Sequence, residues 1–195
     1  MKLLKKIKQA FLTVFGDIKI YKFPFFMIYC PTTFKVKGYH TRNVMDVIKP
    51  GDIVLRKYVD DLDGYFIPGR YSHSSIYVGD GQIIHAVADG VEYIDLIDFL
   101  RCDDFCVLRQ DDEEAAKKAC EFAIQAEKDK AKYDFDFMSD NNDYYCHELV
   151  ATAYSDLNIQ KKSVKMFKIF KLQPRFLAES FLEDTRFKKI INFEL

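Results

Sequence analysis

The chain has 195 residues, 49% of them hydrophobic, with 29 Lys and Arg against 30 Asp and Glu and a formal net charge of −1. That length is enough to bury a core and suits one domain, and the balanced charge offers no overall attraction to nucleic acid. Five cysteines (Cys30, Cys102, Cys106, Cys120, Cys146) cannot all pair within one chain and their spacings suggest no disulfide framework, so a reducing, cytoplasmic compartment is the simpler expectation. Cys102 and Cys106 form a Cys-x3-Cys pair with no second ligand pair nearby, and neither a metal nor an organic cofactor is expected.

In chain order, Leu3, Leu4, Ile7, Phe11, Val14 and Phe15 follow helical spacing, with Lys2, Lys5, Lys6 and Lys8 mostly elsewhere. Lysines interrupt the apolar run, so it reads neither as a signal peptide nor as a membrane span. It is either a helix packed on the domain or a basic amphipathic helix in peripheral contact with an anionic membrane. Residues 1–40 read as an N-terminal extension, with an aromatic segment from Ile20 to Tyr29, and residues 41–195 as the main domain. A short helix is expected over Asn43–Ile48, stopped by Lys49-Pro50-Gly51, then a strand over Asp52–Tyr58 and a loop over Val59–Tyr71.

Ser74–Val78 and Gln82–Val87 read as strands joined by a Gly79-Asp80-Gly81 hairpin turn. Further strands are expected at Gly90–Ile94 and Phe105–Arg109, with a helical turn at Leu96–Leu100 between them. Asp112–Lys130 carries an acidic cap and a basic end, and so predicts a helix. Cys146–Leu157 predicts a second helix through the stripe Leu149, Val150, Ala153, Leu157, with Asp143 or a neighbour marking its start. Helices near Val164–Phe170 and Pro174–Leu182 and a strand over Arg186–Phe193 complete an α+β pattern, an antiparallel sheet packed against helices.

Taken alone, Cys146 is a small buried hydrophobe and each histidine a hydrogen-bonded core residue. Their positions give another meaning. Cys146 falls in the first turn of its helix, where free N–H groups and the helix dipole favour a thiolate and can hold an oxyanion. His147 is adjacent but points about 100° away, and His40 lies in a stretch without strong pattern. His73 opens a strand, and the hairpin turn brings His85 alongside it as an orienting partner.

SHSSIYVGDGQIIHA resembles the His-containing hairpin of the papain-like NlpC-type cysteine hydrolases, with His73 and His85 at its base and third-residue positions. There the nucleophile ordinarily precedes the hairpin; here the cysteine follows it, which resembles the circularly permuted branch of YaeF/YiiX-like proteins and lecithin retinol acyltransferase relatives. YDFDF followed by YYCHELVATAY, and PGDIVLRK upstream, are similar to the YaeF/YiiX pattern over roughly residues 48–157. The resemblance implies a circularly permuted papain-like fold with Cys146 as nucleophile, His73 as general base, His85 as orienter and Tyr133 supporting the oxyanion. It also implies an amide or peptide substrate cleaved through an acyl-enzyme. The alternatives are an acyl-lipid or thioester hydrolase or acyltransferase, and a catalytically silent membrane-associated scaffold. His147 stands where a small hydroxyl residue is common and Ser75 where glycine is frequent, while Glu148 is expected to be a solvated charge.

Overall fold

Strands whose residues alternate between two apolar faces need cover on both sides, and this chain supplies it from different helices. The computed structural model describes residues 6–7, 18–22, 26–29, 34–59, 67–137, 142–163, 165–166, 170–171 and 173–193. Its centre is a six-stranded antiparallel sheet built from β3 (Ile53–Lys57), β4 (His73–Gly79), β5 (Gln82–Val87), β6 (Gly90–Asp95), β7 (Asp104–Gln110) and β10 (Phe187–Asn192), in the order β10-β7-β3-β4-β5-β6. Two short hairpins lie outside it, β1 (Ile18–Lys22) with β2 (Phe26–Tyr29), and β8 (Lys165–Met166) with β9 (Phe170–Lys171). Beyond the helical pair Lys6 and Ile7, the helices among the described residues are α1 (Gly38–Met45), α2 (Leu96–Phe99), α3 (Glu113–Lys128), α4 (Cys146–Ala153) and α5 (Glu179–Leu182).

One sheet face presents Ile53, Leu55, Ile76, Ile84 and Leu108 to Ala119 and Ala123 of α3 and Leu149 and Val150 of α4. The other presents Val54, Tyr77, Ile83 and Val107 to Leu96 and Phe99 of α2, Leu100, Val36 and Val44. The period of two in each strand makes this split. Alanines on α3 let its backbone lie close to the sheet, and Asp112 caps it by accepting the N–H groups of Glu114 and Ala115 at 3.0 and 3.3 Å.

The helix α3 also closes on Gly51, at φ +90, where an added Cβ would stand 2.5 Å from Ala116 Cβ. Gly51 N–H donates to Tyr77 O at 2.8 Å, and its carbonyl takes the Tyr154 hydroxyl at the end of α4. The bond and the close approach tie β4, α3 and α4 together. Gly51→Ala is expected to destabilise the chain by about 2–4 kcal/mol, through the clash and the left-handed backbone together, read from the urea unfolding midpoint.

The hairpin, the strands, the helix at Glu113 and the start of α4 follow the sequence reading closely; four elements differ. Helix α1 begins at Gly38, not Asn43, because the His40 ring accepts the Lys37 N–H at 2.9 Å and caps the earlier turn. Within the expected helix at Val164–Phe170, Lys165–Met166 instead pairs antiparallel with Phe170–Lys171 as β8 and β9, and the rest of that stretch lies outside the described residues. The helix expected over Pro174–Leu182 shrinks to Glu179–Leu182. Arg175 exchanges backbone hydrogen bonds with Lys162, and Phe176 N–H donates to the Tyr145 hydroxyl, so neither serves a helix. Helix α4 ends at Ala153 and is followed by a 3-10 turn, Ser155–Leu157. The amphipathic helix of residues 3–15 lies outside the described residues, save Lys6 and Ile7, and among the described residues no helix is long and apolar enough to cross a membrane.

Candidate active site

Three consecutive positive φ angles, at Gly79 (103°), Asp80 (51°) and Gly81 (75°), fold β5 back onto β4. The register pairs Ser75 with His85, which puts His85 one step along from His73 on the same face. His73 Nε2 lies 2.9 Å from His85 Nδ1, and the ring planes stand at 75°. With Nε2 engaged, Nδ1 is the nitrogen of His73 left for a nucleophile. Beneath both rings lies Phe99, 5.7 Å from each. His85 Nε2 is buried and lies 3.4 Å from the exposed Glu92 carboxylate, without hydrogen-bond geometry.

Cys146 opens α4 and is 3% exposed. Its N-cap is Tyr145, not Asp143, and no side chain caps the helix. The first-turn N–H groups therefore stay available, and those of His147 and Cys146 face the sulfur together with the N–H of Ser74. On the other side Sγ lies 3.8 Å from the Ser72 carbonyl. Sγ thus lies against the backbone of Ser72–Ser74, the short stretch that carries His73 at its middle.

Burial dominates the electrostatics. It pushes the Cys146 thiol up to about 11, against the pull of the three N–H groups and the Arg56 charge. It holds His73 well below the usual histidine range and His85 at about 3, with the Arg56 guanidinium adding to both effects. At neutral pH the groups rest as a thiol and neutral imidazoles, so proton transfer belongs to the moment of attack.

Tyr133 is half-buried, 4.8 Å from Phe135 between ring centres. Its neighbours hold it alongside the approach to α4: Tyr144 N–H donates to Lys132 O at 2.9 Å, and Asp134 N–H to Tyr144 O at 3.3 Å.

One expectation holds, His147 as a hydrogen-bonded core histidine, and one changes, Glu148. His147 is 2% exposed, with Nδ1 2.8 Å from the Ser74 hydroxyl, so it braces the strand. Glu148 is 3% exposed and not a solvated charge, because α4 is covered on nearly every side. Sequence reading missed Arg56 and Phe99. Arg56 pairs with His73 across the β3–β4 register, and only that register, not any local motif, reveals it.

A histidine hairpin followed by a cysteine at a helix N-terminus, on an antiparallel sheet, defines a circularly permuted papain-like cysteine hydrolase. The chain belongs to the permuted papain-like amidase family of the YaeF/YiiX type, C92, whose sequence pattern matches residues 47–191, and it is an enzyme of the cysteine amidase/peptidase type. Among solved structures it is similar to the metalloprotein yiiX from Escherichia coli O157:H7, at 17% identity and a TM-score of 0.59, covering 74% of this chain and 97% of that one. No curated protein matches it. In this chain no three His, Cys, Asp or Glu side chains among the described residues group as a metal site. Cys102 and Cys106 fall in different core clusters, on opposite sheet faces.

Proposed function

We propose that the protein hydrolyses an amide or peptide bond through an acyl-enzyme on Cys146. The observation that carries this is the seat of the sulfur against Ser72 O and Ser74 N–H, either side of a histidine whose far nitrogen is engaged by His85. His73 donates from Nε2 to His85 Nδ1, which fixes the tautomer with a lone pair on Nδ1. As Sγ attacks the carbonyl carbon, its proton passes to His73 Nδ1, and the carbonyl electrons move to the oxygen. The Cys146 N–H, with the Tyr133 hydroxyl, holds that oxyanion. His73 then gives the proton to the leaving amine and the C–N bond breaks. Water, deprotonated by His73, attacks the thioester, and the thiol re-forms as the acid departs.

The test uses p-nitrophenyl acetate as acyl donor with the full chain, read by intact mass and peptide mapping. One acetyl group on Cys146, turning over in time, is the expected result. Acetylation spread over Cys102, Cys106 and Cys120, or none while free glutathione reacts, would overturn the proposal. Tyr133→Phe is expected to lower the acetylation rate about tenfold without changing the modified site.

A further inference from the structure

The residue facing His73 across the β3–β4 register is Arg56. Its guanidinium carbon lies 4.2 Å from the Phe99 ring centre and 5.3 Å from that of Tyr58, and Nη1 donates to the Phe99 carbonyl at 3.0 Å. Phe99 is the ring on which both imidazoles rest. Among the described residues no carboxylate pairs with Arg56, and its Nε is buried with no hydrogen-bond partner. An arginine kept partly out of water without a counter-ion is costly and calls for a reason.

We propose that Arg56 is a positioning residue of the reaction, clamping Phe99 beneath His73 and His85 and presenting to them a positive charge with which no carboxylate pairs among the described residues. Its catalytic consequence rests on the function proposed above. A cation beside the pair opposes a second positive charge, so His73 stays a competent base in mildly acidic solution where a free imidazole is already protonated.

The other groups around the pair do not supply this. Glu92 of β6 acts in the opposite sense and is 51% exposed. Asp98 of α2 is paired with Arg101. Cys146 and His147 of α4 are uncharged, as is Cys102, which burial pushes up to about 12.

The test follows the histidine ring signals of the full chain by NMR from about pH 8 to about pH 4, and the acid limb of Cys146 acetylation by p-nitrophenyl acetate. In wild type, His73 and His85 are expected to stay neutral well below the ordinary histidine range. Arg56→Gln should move the acid limb up by about one pH unit, a roughly tenfold loss of rate on that limb, while Arg56→Lys, which keeps the charge, should leave it nearly in place. Equal shifts in both variants, or none in either, would overturn the proposal and leave Arg56 a structural residue. If Arg56→Gln does not fold, the wild-type titration decides: rings that protonate near the ordinary value overturn it. Absence of any acetylation on Cys146 would count against the hydrolase reading, and the ring titration would still judge Arg56.

Discussion

Cys146→Ala should abolish acyl transfer, by about four orders of magnitude or more, and His73→Ala should cost about a thousandfold, with the fold intact in both. The reason lies in the resting charge state. With the thiol pushed up to about 11 by burial, almost no thiolate exists at neutral pH without a base to take the proton. The Ser74, His147 and Cys146 N–H groups stabilise the sulfur anion once formed, but they accept no proton. His73 is therefore expected to matter more than the N–H groups do. Cys146→Ser should fare little better than alanine, since a hydroxyl binds its proton more tightly. His85→Ala should cost less, about a hundredfold, because it removes the tautomer lock and leaves the base. Single-turnover acetylation followed by stopped-flow release of p-nitrophenolate measures all four. Comparable rates for His73→Ala and wild type would remove the base from the mechanism.

Stability should fall steeply in mild acid. His73, His85 and His147 are neutral in the folded chain, the first held well below the ordinary value and the other two at about 3, mainly by burial. The sign follows from proton counts. Unfolded imidazoles take up protons below about pH 6.5 while the folded ones do not, so the unfolded state gains as pH falls, and full stability is present only above that value. Between about pH 6 and about pH 5 each group contributes a loss of about 1 kcal/mol, roughly 3 kcal/mol for the three, against a typical total of about 5–15 kcal/mol. Urea titrations at the two pH values, monitored by circular dichroism, read this directly. His147→Asn keeps a polar atom for the Ser74 hydroxyl and should remove about one third of the slope. A stability that stays flat over that interval would show the imidazoles to be protonated within the folded chain.

Both expectations rest on the same residues, since the burial that holds His73 neutral is also what should make the fold acid-sensitive. Arg56 strengthens that link by adding its charge to the His73 and His85 environment.

The sequence by itself determined the elements whose signals are local. The Gly79-Asp80-Gly81 turn, the alternation on either side of it, the Asp112 cap and the stripe of Leu149, Val150 and Ala153 behind Cys146 each act within a few residues, and each element formed where its signal stood. The order of hairpin before cysteine helix was equally plain, and its resemblance to the permuted papain-like branch implied the class. The tertiary structure decided what depends on register and cover. The pairing of Arg56 with His73 spans a long connection, and the seat of Phe99 under both rings comes from a helix packed on the second face. His147 and Glu148 lost water because α4 is enclosed, which the polarity of their side chains did not announce. The stretch after Pro174 carries apolar spacing compatible with a helix, but Lys162 takes the backbone of Arg175 and the Tyr145 hydroxyl takes the Phe176 N–H, which draws it elsewhere. Local periodicity places an element, whereas the competition for backbone hydrogen bonds and the choice of buried partner are settled only when distant segments meet.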